Sequence, residues 1–342
     1  MTMTLPRILA IETSCDDTSV ATLEGFQVRS NVVYTQVLHE QYGGVVPELA
    51  SRAHMEALVP TVDSALKKAG WALKVVDAVA VTQGPGLLGS LLVGHSYAKS
   101  LALSLGAPLL NVHHMEAHML AHFLVEPGIQ ETAIPGFPYL CLTVSGGHTQ
   151  LVVVHDWNRF EVLGETQDDA VGEAFDKAAK LLSLSYPGGP VIDRLAQSGK
   201  PLFTFAQPQM PALTFSYSGL KTSVMRSMQA RVKEVPASLT DELSDWCASI
   251  QVALVQPLLE GLQAASLQTG ITRIALAGGV SANSHLRQSC QTLASELGWD
   301  LYLPPFSYTT DNAAMVGAAG YFAFQHQRYS SMSSAAKAKI HD

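Results

Sequence analysis

The sequence predicts an α/β protein made of two related lobes. The chain has 342 residues, of which 47% are hydrophobic and 15% are charged, so it is long and apolar enough for two domains with well-buried cores. A strand-like apolar run, a small polar turn and two further strands begin near residue 8, and the same order begins again near residue 139. This repetition favours a duplicated α/β unit with a cleft between its two copies.

Charge and cysteine usage limit the classes of protein to which the chain can belong. The formal net charge is −8, so binding to a nucleic acid would need a local basic patch or a basic partner. Charges or glycines interrupt every apolar run before it reaches membrane-spanning length, and the N-terminus does not have the pattern of a signal peptide. The four cysteines form no Cys-x-x-Cys pair, which favours a reducing cytoplasm over a disulfide or zinc–thiolate framework.

The first lobe is expected to begin with a hairpin that has two carboxylates at its tip. Strand patterns cover residues 7–14 and 19–23, and the turn between them carries Asp16 and Asp17. Aspartate is common in turns for purely structural reasons, so the pair alone does not establish a site. Apolar residues at helical spacing then predict a helix over residues 48–68.

The glycines at positions 84, 86 and 89 follow a buried strand and precede a helix. This is the form of the dinucleotide-binding fingerprint. The fingerprint also needs an acidic residue about 20 residues further on, at the end of the next strand, and that strand has none there. Pro85 is a second poor fit, so a glycine turn that lets the helix pack closely on the sheet is the better interpretation.

His114 and His118 lie four residues apart, which places both imidazoles on one face of a helix. Two such imidazoles make half of a site for a first-row transition metal, and His122 continues the same row. Glu116 lies about 200° round the helix from His114 at 100° per residue, so the geometry of a His-Glu-x-x-His metalloprotease fails. A helix that merely carries several surface histidines remains the alternative.

The second lobe is expected to repeat the strand pattern over residues 139–145, 148–154 and 159–164. A long amphipathic helix over 240–267 and a small-residue helix over 313–324 follow. We expect the following division: residues 1–112 with about 305–328 in the first lobe, 113–304 in the second, and 329–342 as a flexible tail.

Two Gly-Gly turns follow apolar strands, at residues 146–147 and 278–279. Glycine lets backbone N–H groups approach a phosphate, although most glycine pairs are simply turns. Together with acidic turns at 16–17 and 311, the two pairs resemble the phosphate-holding hairpins of the actin, sugar-kinase and heat-shock ATPase superfold. That superfold has actin-like (ribonuclease H-like) lobes with a nucleotide cleft between them.

Three further carboxylates are open to more than one interpretation. Asp311 precedes a helix and could cap it, or it could complete a metal site with His114 and His118. Asp176 and Asp193 lie early in helical segments beside glycines. Either could bind ribose or threonine-like hydroxyls, or could simply favour the helix dipole.

Nine segments together resemble one family, the bacterial tRNA N6-adenosine threonylcarbamoyltransferases, formerly called glycoproteases. The resemblance runs in order from about residue 8 to residue 322. The segments that carry it are ETSCD at 12–16, GGVVPELASR at 43–52, HHMEAH at 113–118, VSGGHT at 144–149, GEAFDK at 172–177, YPGGP at 186–190, FSYSGLK at 215–221, AGGVSAN at 277–283 and TDN at 310–312.

The resemblance implies a reaction and a set of site residues. A threonylcarbamoyl group would pass from threonylcarbamoyl-AMP to the exocyclic amine of the adenosine 3′ of the anticodon, in tRNAs reading codons that begin with A. His114, His118 and Asp311 would hold one divalent metal, usually Fe(II), with Zn(II) or Mg(II) as alternatives. The residues implied to bind the adenylate are Thr143, Val144, Ser145, Gly146, Gly147, Asp176, Gly189, Asp193 and Asn283.

One departure from the family pattern affects the catalytic assignment. The family usually has Asp-Glu after the cysteine, whereas this chain has Asp16-Asp17. The shorter carboxylate at position 17 puts its role in doubt, so Asp16 is the candidate for the polar catalytic helper. The implied partners are tRNA, a related non-catalytic paralogue (TsaB) and a small ATPase (TsaE), with no membrane. A metalloprotease and an actin-like ATPase scaffold are the alternative functions.

Overall fold

The structure is a computed structural model, and it describes residues 5–126, 128, 133–206 and 210–340. Ten strands are present in this part of the chain: β1 Arg7–Glu12, β2 Asp17–Glu24, β3 Gln27–Thr35, β4 Ala78–Gly84, β5 Leu109–His113, β6 Tyr139–Val144, β7 Thr149–Asp156, β8 Arg159–Glu165, β9 Arg273–Ala277 and β10 Asp300–Tyr302. Its ten α-helices are α1 Pro47–Ala69, α2 Leu88–Leu105, α3 His114–Leu120, α4 Val171–Leu181, α5 Gly188–Ala196, α6 Ser218–Glu234, α7 Ser238–Asp241, α8 Leu243–Thr269, α9 Ser284–Leu297 and α10 Ala313–Gln325.

The chain forms two compact units. The first comprises Met1–Ile134 with Thr310–Asp342, and the second is Pro135–Thr309. This division differs from the expected one, which ended the first segment at residue 112. The reason lies in β5, which runs directly into α3, and α3 packs against α10 within the first unit.

The first unit contains a five-stranded sheet in the order β3-β2-β1-β4-β5. The hairpin partners β1, β2 and β3 are antiparallel, whereas β4 and β5 run parallel to β1. Leu9 and Ile11 of β1 pack with Leu58 of α1 and Leu101 of α2 in one apolar core. Side chains alternate between the faces of a strand, and the intervening residues face α10, which packs on β1, β2 and β4.

The second unit contains a five-stranded sheet in the order β10-β9-β6-β7-β8. Strands β6, β7 and β8 are antiparallel, and β9 and β10 run parallel to β6. Its core includes the fully buried Trp246 of α8, whose ring stacks on Phe203 at a centroid distance of 3.7 Å. Both sheets therefore have the same strand order and directions, which confirms the duplicated unit predicted from the sequence.

The C-terminal segment follows a defined path along the first unit. The backbone N–H of Ser330 donates to the carbonyl of Leu109 at 2.8 Å, and that of Lys337 donates to Gln83 at 2.8 Å. These main-chain hydrogen bonds hold the segment beside β4 and β5, so the described part of it differs from the flexible tail expected over 329–342. In the described residues, no helix is both long enough and apolar enough to cross a membrane.

Candidate metal centre

The candidate metal centre lies in the first unit, where β5 passes directly into α3. His113 ends the strand and caps the helix, because its Nδ1 accepts from the backbone N–H of Glu116 at 3.4 Å. The first residue of α3 is His114, and His118 follows one turn later, with the two rings at 4.8 Å and an interplanar angle of 86°. The predicted helical arrangement of the two imidazoles is therefore present.

Asp311 completes the group from a distant part of the sequence. Its Oδ1 lies 3.4 Å from Nε2 of His114 and 3.1 Å from Nε2 of His118. One ligand atom from each of the three residues lies within 4.8 Å of the others. The structure thus brings together all three metal ligands implied by the sequence.

The spacing between Asp311 and each histidine suits ligands of a first-row metal. Ligands about 2.1 Å from a common ion, at angles of about 90° to 110°, lie about 3.0 to 3.4 Å apart. The two Nε2–Oδ1 distances, 3.4 and 3.1 Å, agree with that range. Two imidazoles and one carboxylate also leave coordination positions open, which is the donor set of metal sites that bind a substrate at the ion.

The charges of the group reinforce one another. Burial raises the pKa of Asp311, but the nearby imidazoles of His114 and His118 outweigh burial and hold it well below its ordinary value. Burial lowers the pKa of His114, but Asp311 and Glu12 outweigh it and raise that pKa well above its ordinary value. Without an ion, the site is therefore a buried imidazolium between carboxylates, and a divalent cation can replace the proton on Nε2.

Three other features discussed from the sequence are consistent with these three residues as the ligand group. The cap of α10 is Asn312, whose side chain accepts from Met315 N at 3.1 Å, so the capping alternative for Asp311 is wrong. His122 is buried in the turn after α3 and is not part of the ligand group. Glu116 is also outside the group, as its position on the helix predicted.

Sequence reasoning did not assign Glu12 and Ser14, which contact the centre. Glu12 Oε2 lies 3.1 Å from His114 Nδ1, and Ser14 Oγ lies 3.2 Å from the same atom. The available signal was a carboxylate at the end of the apolar run that forms β1, because a buried charge needs partners. The pattern gave no indication which side chain would be that partner.

The acidic turn at residues 15–17 lies at the start of β2, close enough to Asp311 for their charges to interact. Asp17 Oδ1 is buried and has no hydrogen-bond partner among the described residues. Burial raises the pKa of Asp17 to about 7, and the charges of Asp311 and Asp16 add to this rise. Asp16 is half-buried beside it.

We expect this carboxyl to make the stability of the metal-free protein depend on pH. The folded chain holds the Asp17 proton up to a pH of about 7, whereas the unfolded chain loses it near 3.9. Between these values the unfolded state binds fewer protons, so the free energy of unfolding falls as pH rises and stops falling above about 7. Denaturant titrations should therefore show that the free energy of unfolding of Asp17→Asn rises relative to that of wild type from pH 4 to 7. Parallel curves would contradict the buried, protonated carboxyl.

In the second unit, the two predicted Gly-Gly turns meet at one edge of the sheet. Strands β6 and β9 are parallel neighbours, and the turns follow their carboxyl ends. A Cβ on Gly278 would lie 2.4 Å from the carbonyl oxygen of Val144, and its φ of 85° also favours glycine. Thr143 and Val144 are fully buried, whereas Gly146 and Gly147 are exposed. Backbone groups of this turn are thus the ones available to a ligand.

The remaining residues implied to bind the adenylate already have partners in the second unit. Asp176 Oδ1 accepts from Gly188 N at 2.7 Å, and burial raises the pKa of this carboxyl. Asp193 accepts from the Ser284 hydroxyl at 2.6 Å. Asn283 caps α9 by accepting from Leu286 N at 2.9 Å. Gly189 lies in the first turn of α5. These contacts are structural, and ligand binding by the same residues stays a prediction.

The glycine-rich turn after β4 is a packing feature. A Cβ on Gly86 would lie 2.5 Å from the carbonyl oxygen of Ser14, so only glycine allows the turn before α2 to approach the segment after β1 this closely. This agrees with the interpretation preferred over a dinucleotide site.

Comparisons with known proteins identify the family of this chain. The family profile described as TsaD, tRNA N6-adenosine threonylcarbamoyltransferase, matches residues 27–318. The protein of that name from Christiangramia forsetii is 52% identical over 333 residues, which are 97% of this chain and 97% of the relative. The one from Porphyromonas gingivalis is 50% identical over 318 residues, 93% of each chain.

A solved structure of full-length HypF in the phosphate- and nucleotide-bound form superposes with a TM-score of 0.60. The alignment covers 96% of this chain and 48% of HypF at 12% sequence identity, so it supports the fold alone. It confirms the predicted α/β fold class. The near full-length identity of about half the residues to curated relatives decides the family: this chain belongs to the TsaD family of tRNA N6-adenosine threonylcarbamoyltransferases.

Proposed function

We propose that this chain transfers the threonylcarbamoyl group of threonylcarbamoyl-AMP to the exocyclic N6 amine of the adenosine 3′ of the anticodon, in tRNAs that read codons beginning with A. Family membership supports the reaction class. The observation of the structure that carries the proposal is the convergence of His114, His118 and Asp311 on one ion-sized space. This donor set suits a metal-assisted transfer, whereas Glu116 has no place in it as the base of a protease.

The centre is proposed to hold one divalent ion per chain. Imidazole ligands suit iron and zinc, whereas magnesium prefers oxygen ligands, so Fe(II) is the first candidate, Zn(II) the second, and Mg(II) the least suited. When bound, the ion would supply Lewis-acid chemistry to oxygens of the substrate.

The protein groups have two tasks in the proposed reaction. The adenosine amine forms a bond to the carbamoyl carbon, the bond from that carbon to the phosphate oxygen breaks, and AMP leaves with the electron pair. An amine conjugated to a purine is a weak nucleophile, so a nearby base is needed to take its proton, and we assign that task to Asp16. We assign binding of the adenylate to the exposed backbone of Gly146 and Gly147 with the neighbouring residues of the second unit.

Asp16→Asn should lower the rate constant of transfer by about 100-fold or more, the usual scale for loss of a general base. Asn keeps the shape of the side chain, so the content of bound metal should not change. Single-turnover rates and metal content would be measured for this variant and for Asp17→Asn. The Asp17 carboxyl is the competing base, because its pKa is raised to about 7. A full rate in Asp16→Asn with a large loss in Asp17→Asn would move the assignment to Asp17.

The proposal includes the partners implied by the family. The net charge of −8 opposes binding to the phosphates of tRNA, which supports a need for the paralogue TsaB and the small ATPase TsaE. All four cysteines are free thiols in the structure, which supports a reducing cytoplasm as the location.

The function is tested with threonylcarbamoyl-AMP labelled in the threonine moiety, an unmodified tRNA transcript and both partners. We expect label to move to tRNA only when this chain is present. No labelled tRNA in this mixture, together with release of ADP from ATP by this chain alone, would favour an actin-like ATPase scaffold instead. Metal-dependent cleavage of a peptide would favour a protease.

A further inference from the structure

Glu12 is a carboxylate buried inside the first unit, at the end of β1. Its side chain is 0% exposed to solvent. A buried carboxylate is costly unless hydrogen bonds and opposite charge compensate it. Glu12 lies beside the metal centre, where it contacts His114, but it is not one of the three ligands.

Three donors surround this carboxylate. The backbone N–H of Ser14 donates to Oε1, and the hydroxyl of Thr82 on β4 donates to Oε2 at 2.5 Å. The third is Nδ1 of His114, 3.1 Å from Oε2. Strands β1, β4 and β5 are neighbours in the sheet, which is why residues so far apart in sequence meet.

These contacts fix the protonation pattern of His114. A carboxylate has only acceptors, so the hydrogen between Glu12 and His114 is on Nδ1. The other ring nitrogen, Nε2, faces Asp311 Oδ1 at 3.4 Å. When a cation replaces the hydrogen on Nε2, the hydrogen held on Nδ1 leaves the ring neutral, with its lone pair on the nitrogen that a metal needs.

We propose that Glu12 is a positioning residue of the metal centre, which holds His114 as the Nδ1–H tautomer and directs its Nε2 at the ion. Carboxylates that hold a ligating histidine in this way commonly contribute 10- to 100-fold to metal affinity. The proposal rests on the metal site proposed above. It adds a residue outside the ligand set and states what that residue does to one particular ligand.

The support acts on only one of the two histidines. His118 Nδ1 is buried and has no hydrogen-bond partner among the described residues, so no carboxylate holds a hydrogen on that nitrogen; the ring contacts Asp311 Oδ1 through Nε2 at 3.1 Å. His114 is therefore the histidine of the pair whose Nδ1 is held by a carboxylate. A change at Glu12 should therefore lower the metal affinity of the centre, although Glu12 is not itself a ligand.

Glu12→Gln removes this support without removing a ligand. The amide has one acceptor oxygen and one NH2 group. If the oxygen faces His114, the NH2 group opposes the Ser14 N–H. If the oxygen faces Ser14, the NH2 group opposes Nδ1, and His114 must then carry its hydrogen on Nε2, where it blocks the metal. Glu116→Gln makes the same chemical change on α3 outside the ligand group and serves as the matched control.

The test measures Zn(II) affinity of the full chain by competition with a chelator, together with the histidine ring nitrogens by 15N NMR. Neither measurement uses tRNA or an acyl donor, so a failure of the transfer function would not affect the result. We expect wild type and Glu116→Gln to bind alike and Glu12→Gln to bind about 10- to 100-fold more weakly. In zinc-loaded wild type, His114 should show a protonated Nδ1.

An affinity of folded Glu12→Gln within twofold of wild type would overturn the proposal, as would an equal loss in Glu116→Gln. If Glu12→Gln does not fold, the wild-type spectrum decides alone: a His114 that lacks hydrogen on Nδ1 in the zinc form would overturn it. If wild type and His118→Ala bind Zn(II) equally, the metal site itself is wrong, which is a different outcome from a Glu12 without effect.

Discussion

His118→Ala should strip the metal from the protein and abolish transfer. The substitution removes one of three ligands, and we expect the metal affinity to fall by more than the roughly 100-fold that loss of an outer contact can cause. Metal content by mass spectrometry should drop from about one ion per chain to near zero. His122→Ala, one turn further on, should keep its metal because His122 is outside the ligand group.

His118 is a cleaner position for this test than His114. Removing the His114 ring would leave the buried carboxylate of Glu12 and the half-buried carboxylate of Asp311 without that imidazole. Loss of one partner from a buried ion pair typically costs about 3 to 5 kcal/mol of stability. His114→Ala should therefore lose both metal and fold stability, whereas His118→Ala should mainly lose metal. Retention of metal by His118→Ala, with loss in His122→Ala, would show that the site is misassigned.

Asp311→Asn should lower metal affinity at least tenfold, which is about 1.4 kcal/mol, and transfer should fall with it. Asparagine keeps the shape of the side chain but removes the negative charge that favours a divalent cation. The change should not weaken the start of α10, because Asn312 caps that helix. Bound metal and single-turnover transfer rate would be measured on the same preparation.

The melting temperature of metal-free Asp311→Asn shows whether the carboxylate also stabilises the fold. Any drop reports the lost contacts of the carboxylate with His114 and His118, at 3.4 and 3.1 Å, rather than fraying of α10. Asn312→Ala provides the comparison, since it should destabilise α10 by about 1 kcal/mol through the lost cap while keeping the ligand set. Full metal and full transfer in Asp311→Asn would contradict the three-ligand centre.

Local patterns predicted the elements but not the contacts between distant ones. Apolar patterns predicted the duplicated strands, and the four-residue spacing of His114 and His118 placed them on one helical face, because both features depend on neighbours in sequence. Asp311 lies 193 residues from His118, so the residues alone left helix capping and metal binding both open for it, and the resemblance to the family favoured metal binding. Glu12 was missed because its partner depends on the order of strands in the sheet.

The C-terminal segment shows that composition alone does not predict whether a segment is held in place. Its serine, alanine and lysine content predicted flexibility, since such side chains bury little apolar surface. The segment is held instead by main-chain hydrogen bonds, such as that from Lys337 to Gln83, and composition carries no information about main-chain partners.

Mass spectrometry of tRNA nucleosides is the most direct test of the proposed transfer at this metal centre. One unmodified tRNA would be incubated with threonylcarbamoyl-AMP and both partners, with wild type, with Asp311→Asn, and without this chain, then digested to nucleosides. We predict that threonylcarbamoyladenosine forms with wild type, forms at least tenfold more slowly with Asp311→Asn, and is absent without the chain. Equal amounts of the modified nucleoside in all three samples would contradict the account.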